Sequence, residues 1–202
     1  MYPVAYFIAR KVPLARRTKI ILLFLLPFWT GDIVRNFAIM ILLGNRGAIN
    51  LILLNLGVID RPLSLLFNNF SLSLGVFYSS SIFMLLPLYS AIEKLPKSLH
   101  EAASDLGAGS IDRFFNITLP LTRDGVVSAC VLSFLINVGS YATPLMLSGP
   151  ENRLFSQIIA YYFSTTEGQW NIGAAYAVIL SLTALLTAAF IMWLGGSRRR
   201  VR

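Results

Sequence analysis

The sequence is poor in the residues that soluble enzymes rely on. In 202 positions it has nine acidic residues, one histidine and one cysteine. The lone Cys130 excludes an intramolecular disulfide, and inside an apolar run it is expected to serve as a small packing residue. No His/Cys/carboxylate cluster offers a metal site. No Gly-rich loop ending in Lys and Ser/Thr offers a phosphate cradle, and no nucleophile is paired with a base. The chain is therefore expected to hold neither metal nor cofactor, neither to bind nor to hydrolyse ATP by itself, and not to act as an enzyme in isolation. Charged residues make up only 13%, against about 25% in an average soluble domain. That is too little charge to coat a water-soluble globule.

What is abundant is apolar length. Hydrophobic residues reach 56% and the mean hydropathy is +0.69. A helix needs about 20 apolar residues to cross the roughly 30 Å hydrocarbon layer. Four stretches qualify: Ile20–Leu43, Ser71–Ile92, Gly125–Leu147 and Ile172–Leu194. Backbone groups in lipid must pair within their own segment, so these read as helices. The expected fold is all-α, a polytopic membrane bundle with four full spans. Met1–Ala9 is apolar but too short to cross, and reads as the inner end of a helix whose beginning is absent. Gly47–Ile59 and Leu154–Phe163 are also too short and are expected to lie in the interface or pack on the bundle. Without repeats or linkers, residues 1–202 read as one domain.

The net charge of +8 does not point to nucleic acid. A nucleic-acid binder gathers its cations on one solvated face, whereas here they stand at the ends of apolar runs. Thirteen of the 17 Lys and Arg fall in Arg10–Lys19, in the loop 93–124 and in the tail Arg198–Arg202. The positive-inside rule places those three segments, and with them the C-terminus, in the cytoplasm. The tail should also attract anionic lipid.

The loop 93–124 is not built like a linker. Ser98 followed by Glu101 predicts a capping box at the start of a helix. Gly107 and Gly109 predict its end. Ser110 opens a second apolar pattern through Ile111, Phe114, Phe115 and Ile117, and Pro120 is expected to stop it. His100 reads as a solvated loop residue.

Within this loop Glu101-Ala102-Ala103, three residues, Gly107, nine residues and Ile117-Thr118-Leu119-Pro120 fit the EAA pattern. The chain thus resembles the permease subunits of binding-protein-dependent ABC importers. Pro27-Phe28-Trp29, Leu56–Pro62, Pro87–Leu95, Tyr141–Gly149 and Trp170–Ala175 make it most similar to the spermidine/putrescine permeases. The resemblance implies a multi-pass inner-membrane subunit, with a cytoplasmic ATP-binding subunit, a second permease and an extracytoplasmic binding protein as partners. It implies that Glu101, Ala102, Ala103, Gly107, Ile117, Leu119 and Pro120 form the surface that couples to the ATPase. Such permeases have about six spans, so the first helix and most of the second are expected to be missing. Ferric iron, sulphate, thiamine or phosphonate remain alternative substrates. A truncated permease and a membrane scaffold remain alternative roles.

Asp32, Asn137 and Tyr141 are candidates for the substrate pathway. Asp32 and Arg35 are the charges inside a span, where ionisable groups default to function; their i, i+3 spacing equally suits a structural pair. Asn137 and Tyr141 lie beside Gly139 and Pro144, which invite the kind of helix interruption transporters use. Amides and hydroxyls also bind helices together in membranes. Tyr161, Tyr162, Phe163 and Trp170 read as an interfacial aromatic belt, or as a surface for the binding protein.

Overall fold

A computed structural model describes residues 1–149, 153–164 and 169–196, and every regular element among them is helical. In chain order these are α1 (Tyr2–Arg10), α2 (Leu14–Leu25), α3 (Asp32–Leu43), α4 (Ala48–Asn55), α5 (Asn69–Glu93) and α6 (Lys97–Asp105). They continue as α7 (Ser110–Arg113), α8 (Leu119–Leu121), α9 (Arg123–Val138), α10 (Ala142–Leu147), α11 (Phe155–Ser164) and α12 (Trp170–Gly196). A 3-10 turn, Leu26–Phe28, follows α2, and a π-helical turn, Phe114–Thr118, joins α7 to α8.

Helices α5 and α12 have 25 and 27 residues, which at 1.5 Å each exceeds the hydrocarbon thickness of about 30 Å. They confirm two expected spans. The first expected span, Ile20–Leu43, is instead broken. Pro27 stops α2, and Gly31 starts α3 with φ +81°, a conformation only glycine adopts without strain. The apolar residues after that break continue through α3 and α4, and Asp32–Asn55 together have the length and apolarity of a span. Ala48–Asn55, the helical part of the stretch Gly47–Ile59, thus forms the second part of that unit. The expected span Gly125–Leu147 is also interrupted: α9 ends at Val138 and α10 begins at Ala142. A fourth crossing is reached only if Ser110–Leu121 and Arg123–Val138, bent by 67°, count as one. Cys130 is exposed on α9 and does not pack as a core residue.

The chain forms two compact units. The described residues of the first are 1–23, 81–135 and 186–196. Its core takes Ala5, Ile8, Ala9 and Val12 from the start of the chain, Leu85, Leu88 and Ile92 from the later half of α5, and Leu95 just after that helix. The spacing of three and four in both sets is one helix face. Gly125 makes the α9 contact possible: a Cβ there would lie 2.3 Å from Ala91 Cβ and 3.0 Å from the Pro87 carbonyl. Arg17, expected as a free topology cation, is buried. Its Nε donates to the Val12 carbonyl at 2.9 Å, and it pairs with Glu93 at 3.3 Å, an acid that also accepts the Tyr89 hydroxyl at 2.5 Å.

The second unit comprises 24–80 and 136–185. Its core sets Ile39 and Leu43 of α3 against Leu147 of α10, with Ile49, Leu74 and Met146 around them. Polar atoms on the same surface are paired: Asn36 Nδ2 donates to Thr143 Oγ1 at 3.2 Å, and Ser71 Oγ to the Leu147 carbonyl at 2.7 Å. Fully buried Asn50 staples the chain between α3 and α5. It donates to the Gly44 and Leu63 carbonyls at 3.1 and 2.9 Å and accepts the Leu63 N–H at 2.8 Å. Those bonds stand in for ladder partners that this irregular segment lacks.

Candidate functional site

The loop 93–124 folds into a helical corner. Pro96, not Ser98, is the N-cap of α6, and no side chain caps it, so the expected capping box does not form. Proline fixes its own φ and restricts the residue before it, which sets the helix start at Lys97, one residue ahead of Ser98. The expected end does form. Gly107 has φ +81°, the Ala108 N–H reaches the Ala103 carbonyl at 3.0 Å and the Gly107 N–H reaches the Ser104 carbonyl at 2.9 Å. This pair of bonds is a Schellman motif, which satisfies the last carbonyls and turns the chain sharply.

The second arm starts at Ser110 and loses α-helical regularity at Phe114. The Leu119 N–H bonds to the Phe114 carbonyl five residues back. Pro120 has no N–H to give the Asn116 carbonyl, and the wider π turn accommodates that loss. The arm runs one residue past Pro120 to Leu121 before the 67° bend into α9.

One side-chain link joins the two arms of the corner, and a second ties it to α1. His100 Nε2 lies 3.0 Å from Thr118 Oγ1, and the Tyr2 hydroxyl lies 2.7 Å from Thr122 Oγ1. Thr122 Oγ1 in turn donates to the Thr118 carbonyl at 2.8 Å, and both threonines are buried. His100 is therefore a half-buried connector, not a solvated residue. Burial, with Arg10 and Arg113 nearby, holds its pKa below the usual 6.5, partly offset by the Pro96 backbone. Its ring stays neutral at pH 7.

Around this frame the motif residues divide. Glu101, Ala102, Gly107 and Pro120 are exposed, whereas Ala103, Ile117 and Leu119 are half-buried. The apolar residues near the glycine corner are uncovered: Leu106 is 89% exposed, Ile111 73% and Phe115 59%. His100, Thr118 and Thr122 were not legible as site residues. The one signal for Thr118 is its polarity between apolar Ile117 and Leu119.

The pathway candidates belong to the second unit. Asp32 Oδ1 accepts from Arg35 at 2.9 Å, and the same guanidinium lies 4.2 Å above the Phe28 ring. Asn137 donates to the Ser80 hydroxyl. Tyr141 is exposed in the break before α10. Of the aromatic group, Tyr162 packs against Tyr161 and Tyr176 and so joins α11 to α12, while Trp170 is exposed. The arginine tail lies outside the described residues.

Known proteins are similar to this chain over most of its length. Residues 4–202 match the family described as binding-protein-dependent transport system inner membrane component. The chain is 38% identical over 181 residues to the spermidine/putrescine transport system permease protein PotB of Escherichia coli (strain K12), covering 90% of this chain and 65% of that protein. It is 36% identical over 186 residues to PotB of Haemophilus influenzae, covering 92% and 64%. The chain thus spans a little under two thirds of the length of these relatives. A crystal structure of a bacterial ABC transporter that imports the acidic polysaccharide alginate shares the fold, with a TM-score of 0.74 at 18% identity over 98% of this chain and 72% of that one. A polytopic helical chain with this corner, matched over almost its whole length, belongs to the family of multi-pass inner-membrane components of binding-protein-dependent transport systems.

Proposed function

We propose that this chain is the permease subunit of an ATP-driven importer, with polyamines as its substrates, and that residues 1–202 work as one transmembrane domain. Its partners are a cytoplasmic ATP-binding subunit, a second permease, an extracytoplasmic binding protein and the surrounding lipid. The reading rests above all on one observation: a complete EAA pattern lies on a helical corner whose apolar residues Leu106, Ile111 and Phe115 are left uncovered. Apolar side chains grouped on a polar loop mark a protein-docking surface. The polyamine assignment is supported by the names of the two PotB relatives. The cytoplasmic placement of the loop and of the C-terminus follows from the charge asymmetry of the loops.

In this mechanism the ATPase grips the corner and moves it as ATP binds and is hydrolysed. The Schellman end at Gly107 keeps the two arms at a fixed angle. The His100–Thr118 and Tyr2–Thr122 links then pass the displacement to α1 and to the bent start of α9. Small Ala102 and Ala103 let the partner's backbone approach, and Glu101 presents a carboxylate to a basic group on the ATPase. Asp32, Asn137 and Tyr141 remain the pathway candidates. Asp32 is already neutralised by Arg35, so Tyr141, with an exposed ring able to face an ammonium group, is the first to test.

The test is co-purification in detergent with the ATPase encoded beside it. The wild-type chain should retain the ATPase, and Glu101→Lys or the pair L106S/I111S should lose it while inserting normally. Retention by both variants would overturn the coupling role. Uptake of radiolabelled spermidine, lost on deletion and unaffected by excess sulphate, tests the substrate.

A further inference from the structure

Beside α6 lies a cleft of about 520 Å³, walled by the end of α1 and by the turn from α7 into the π-helical segment. Four cations line it: Arg10, Lys11, Lys97 and Arg113. Glu101 is the one acid among its lining residues. Arg17 and Arg35 have carboxylate partners elsewhere, but among the described residues no carboxylate comes within 4.0 Å of these four cations.

The arginines are also short of acceptors. Arg10 donates once, to the Leu95 carbonyl at 3.0 Å, and its buried Nε has no partner. Arg113 reaches only neutral acceptors at long range, the His100 carbonyl at 3.4 Å and the Ser110 hydroxyl at 3.3 Å. Like charges gathered round one concavity repel each other, and an anion entering it relieves that repulsion. A planar guanidinium matches two oxygens of a phosphate at once, and lysines add point charge. A phosphate monoester carries about −1.5 to −2 charge and three acceptor oxygens, which answers several cations where a single carboxylate answers one.

We propose that this cleft is a binding site for a phosphate monoester group, carried by an anionic lipid headgroup or by a soluble phosphorylated molecule. A ligand there bridges α1 to both arms of the corner and so sets how stiffly the corner is held. The inference rests on the charge and shape of the cleft and is independent of the importer reading.

The experiment uses the whole chain in phosphatidylcholine nanodiscs. One arm titrates inorganic phosphate against chloride at equal ionic strength. The other adds phosphatidic acid to the discs and counts retained lipid by native mass spectrometry. Lys11 and Lys97 are exposed, so K11Q/K97Q leaves packing intact and should weaken binding about tenfold or more, since each surface cation contributes about 1 kcal/mol towards an anionic headgroup. Arg113→Gln should cause a second loss. Phosphatidic acid retained by the wild type and shed by the variants identifies a lipid site. Phosphate binding without lipid retention, weakened in the same variants, identifies a soluble ligand. Binding of neither above the controls, or equal binding by wild type and variants, would overturn the proposal.

Discussion

His100 Nε2 stands 3.0 Å from Thr118 Oγ1, so the only histidine in the chain ties α6 to the π-helical turn eighteen residues later. The bond closes the corner opposite its glycine hinge. Thr118 is buried and sits within the I-x-L-P end of the EAA pattern. The two ends of the pattern are thereby joined by a residue from each arm.

The burial of His100 makes the corner sensitive to acid. The folded state holds the His100 pKa below 6.5 through burial and the nearby Arg10 and Arg113, with Lys97 and Glu101 on the same cleft. The unfolded state therefore binds the proton first as pH falls, and the stabilisation is complete above about pH 6.5 and lost below it. The thermal midpoint of the detergent-solubilised chain should drop between about pH 7.5 and pH 5.5. His100→Gln, which keeps a polar group near Thr118, should flatten that slope; an unchanged slope would refute the assignment.

Gly107 is needed for its backbone rather than for space. No atom lies within 4 Å of a Cβ placed there, yet its φ is +81°. Gly107→Ala should cost about 1–2 kcal/mol in the left-handed conformation, and Gly107→Asn less. Both variants should insert. ATPase retention should fall in the order glycine, asparagine, alanine, valine, and equal retention across the series would show that the corner angle is irrelevant to docking.

Gly125 is the opposite case. A Cβ would stand 2.3 Å from Ala91 Cβ, within a buried contact. Gly125→Ala should lower stability by about 1–3 kcal/mol through overpacking, and Gly125→Leu should prevent recovery of folded protein. Gly195→Ala should behave similarly against Val127, whereas Gly196→Ala, with nothing within 4 Å, should be neutral. Thermal midpoints of the four proteins decide.

The Asn36–Thr143 bond, 3.2 Å between two buried side chains, should couple α3 to α10. A double-mutant cycle with Asn36→Leu and Thr143→Val is expected to give about 0.6 kcal/mol, and at most about 1.7, as for other interhelical bonds in membranes. Additive losses would mean that the bond contributes nothing.

Composition and spacing alone determined that the chain is helical, that it lives in a membrane, and where its informative loop lies. Those properties come from local sums: apolar length against a fixed hydrocarbon thickness, cations at segment ends, a glycine that ends a helix. Even the EAA pattern is a matter of spacing along one strand of chain. Spans were misjudged where apolarity ran through a backbone break. Ile20–Leu43 and Gly125–Leu147 stay hydrophobic across Pro27–Gly31 and Gly139–Tyr141, and hydropathy is blind to direction.

Tertiary structure alone decided which polar residues are partners. The sequence placed Arg17 with the topology cations, His100 in solvent and Asn50 in an apolar strip. Folding buried Arg17 beside Glu93, set His100 against Thr118 and turned Asn50 into a staple. A buried polar group must find a complement, but which one depends on segments as far apart as the 120 positions between Tyr2 and Thr122. The cleft lined by Arg10, Lys11, Lys97 and Arg113 arises in the same way, because only packing brings the end of α1 against the corner.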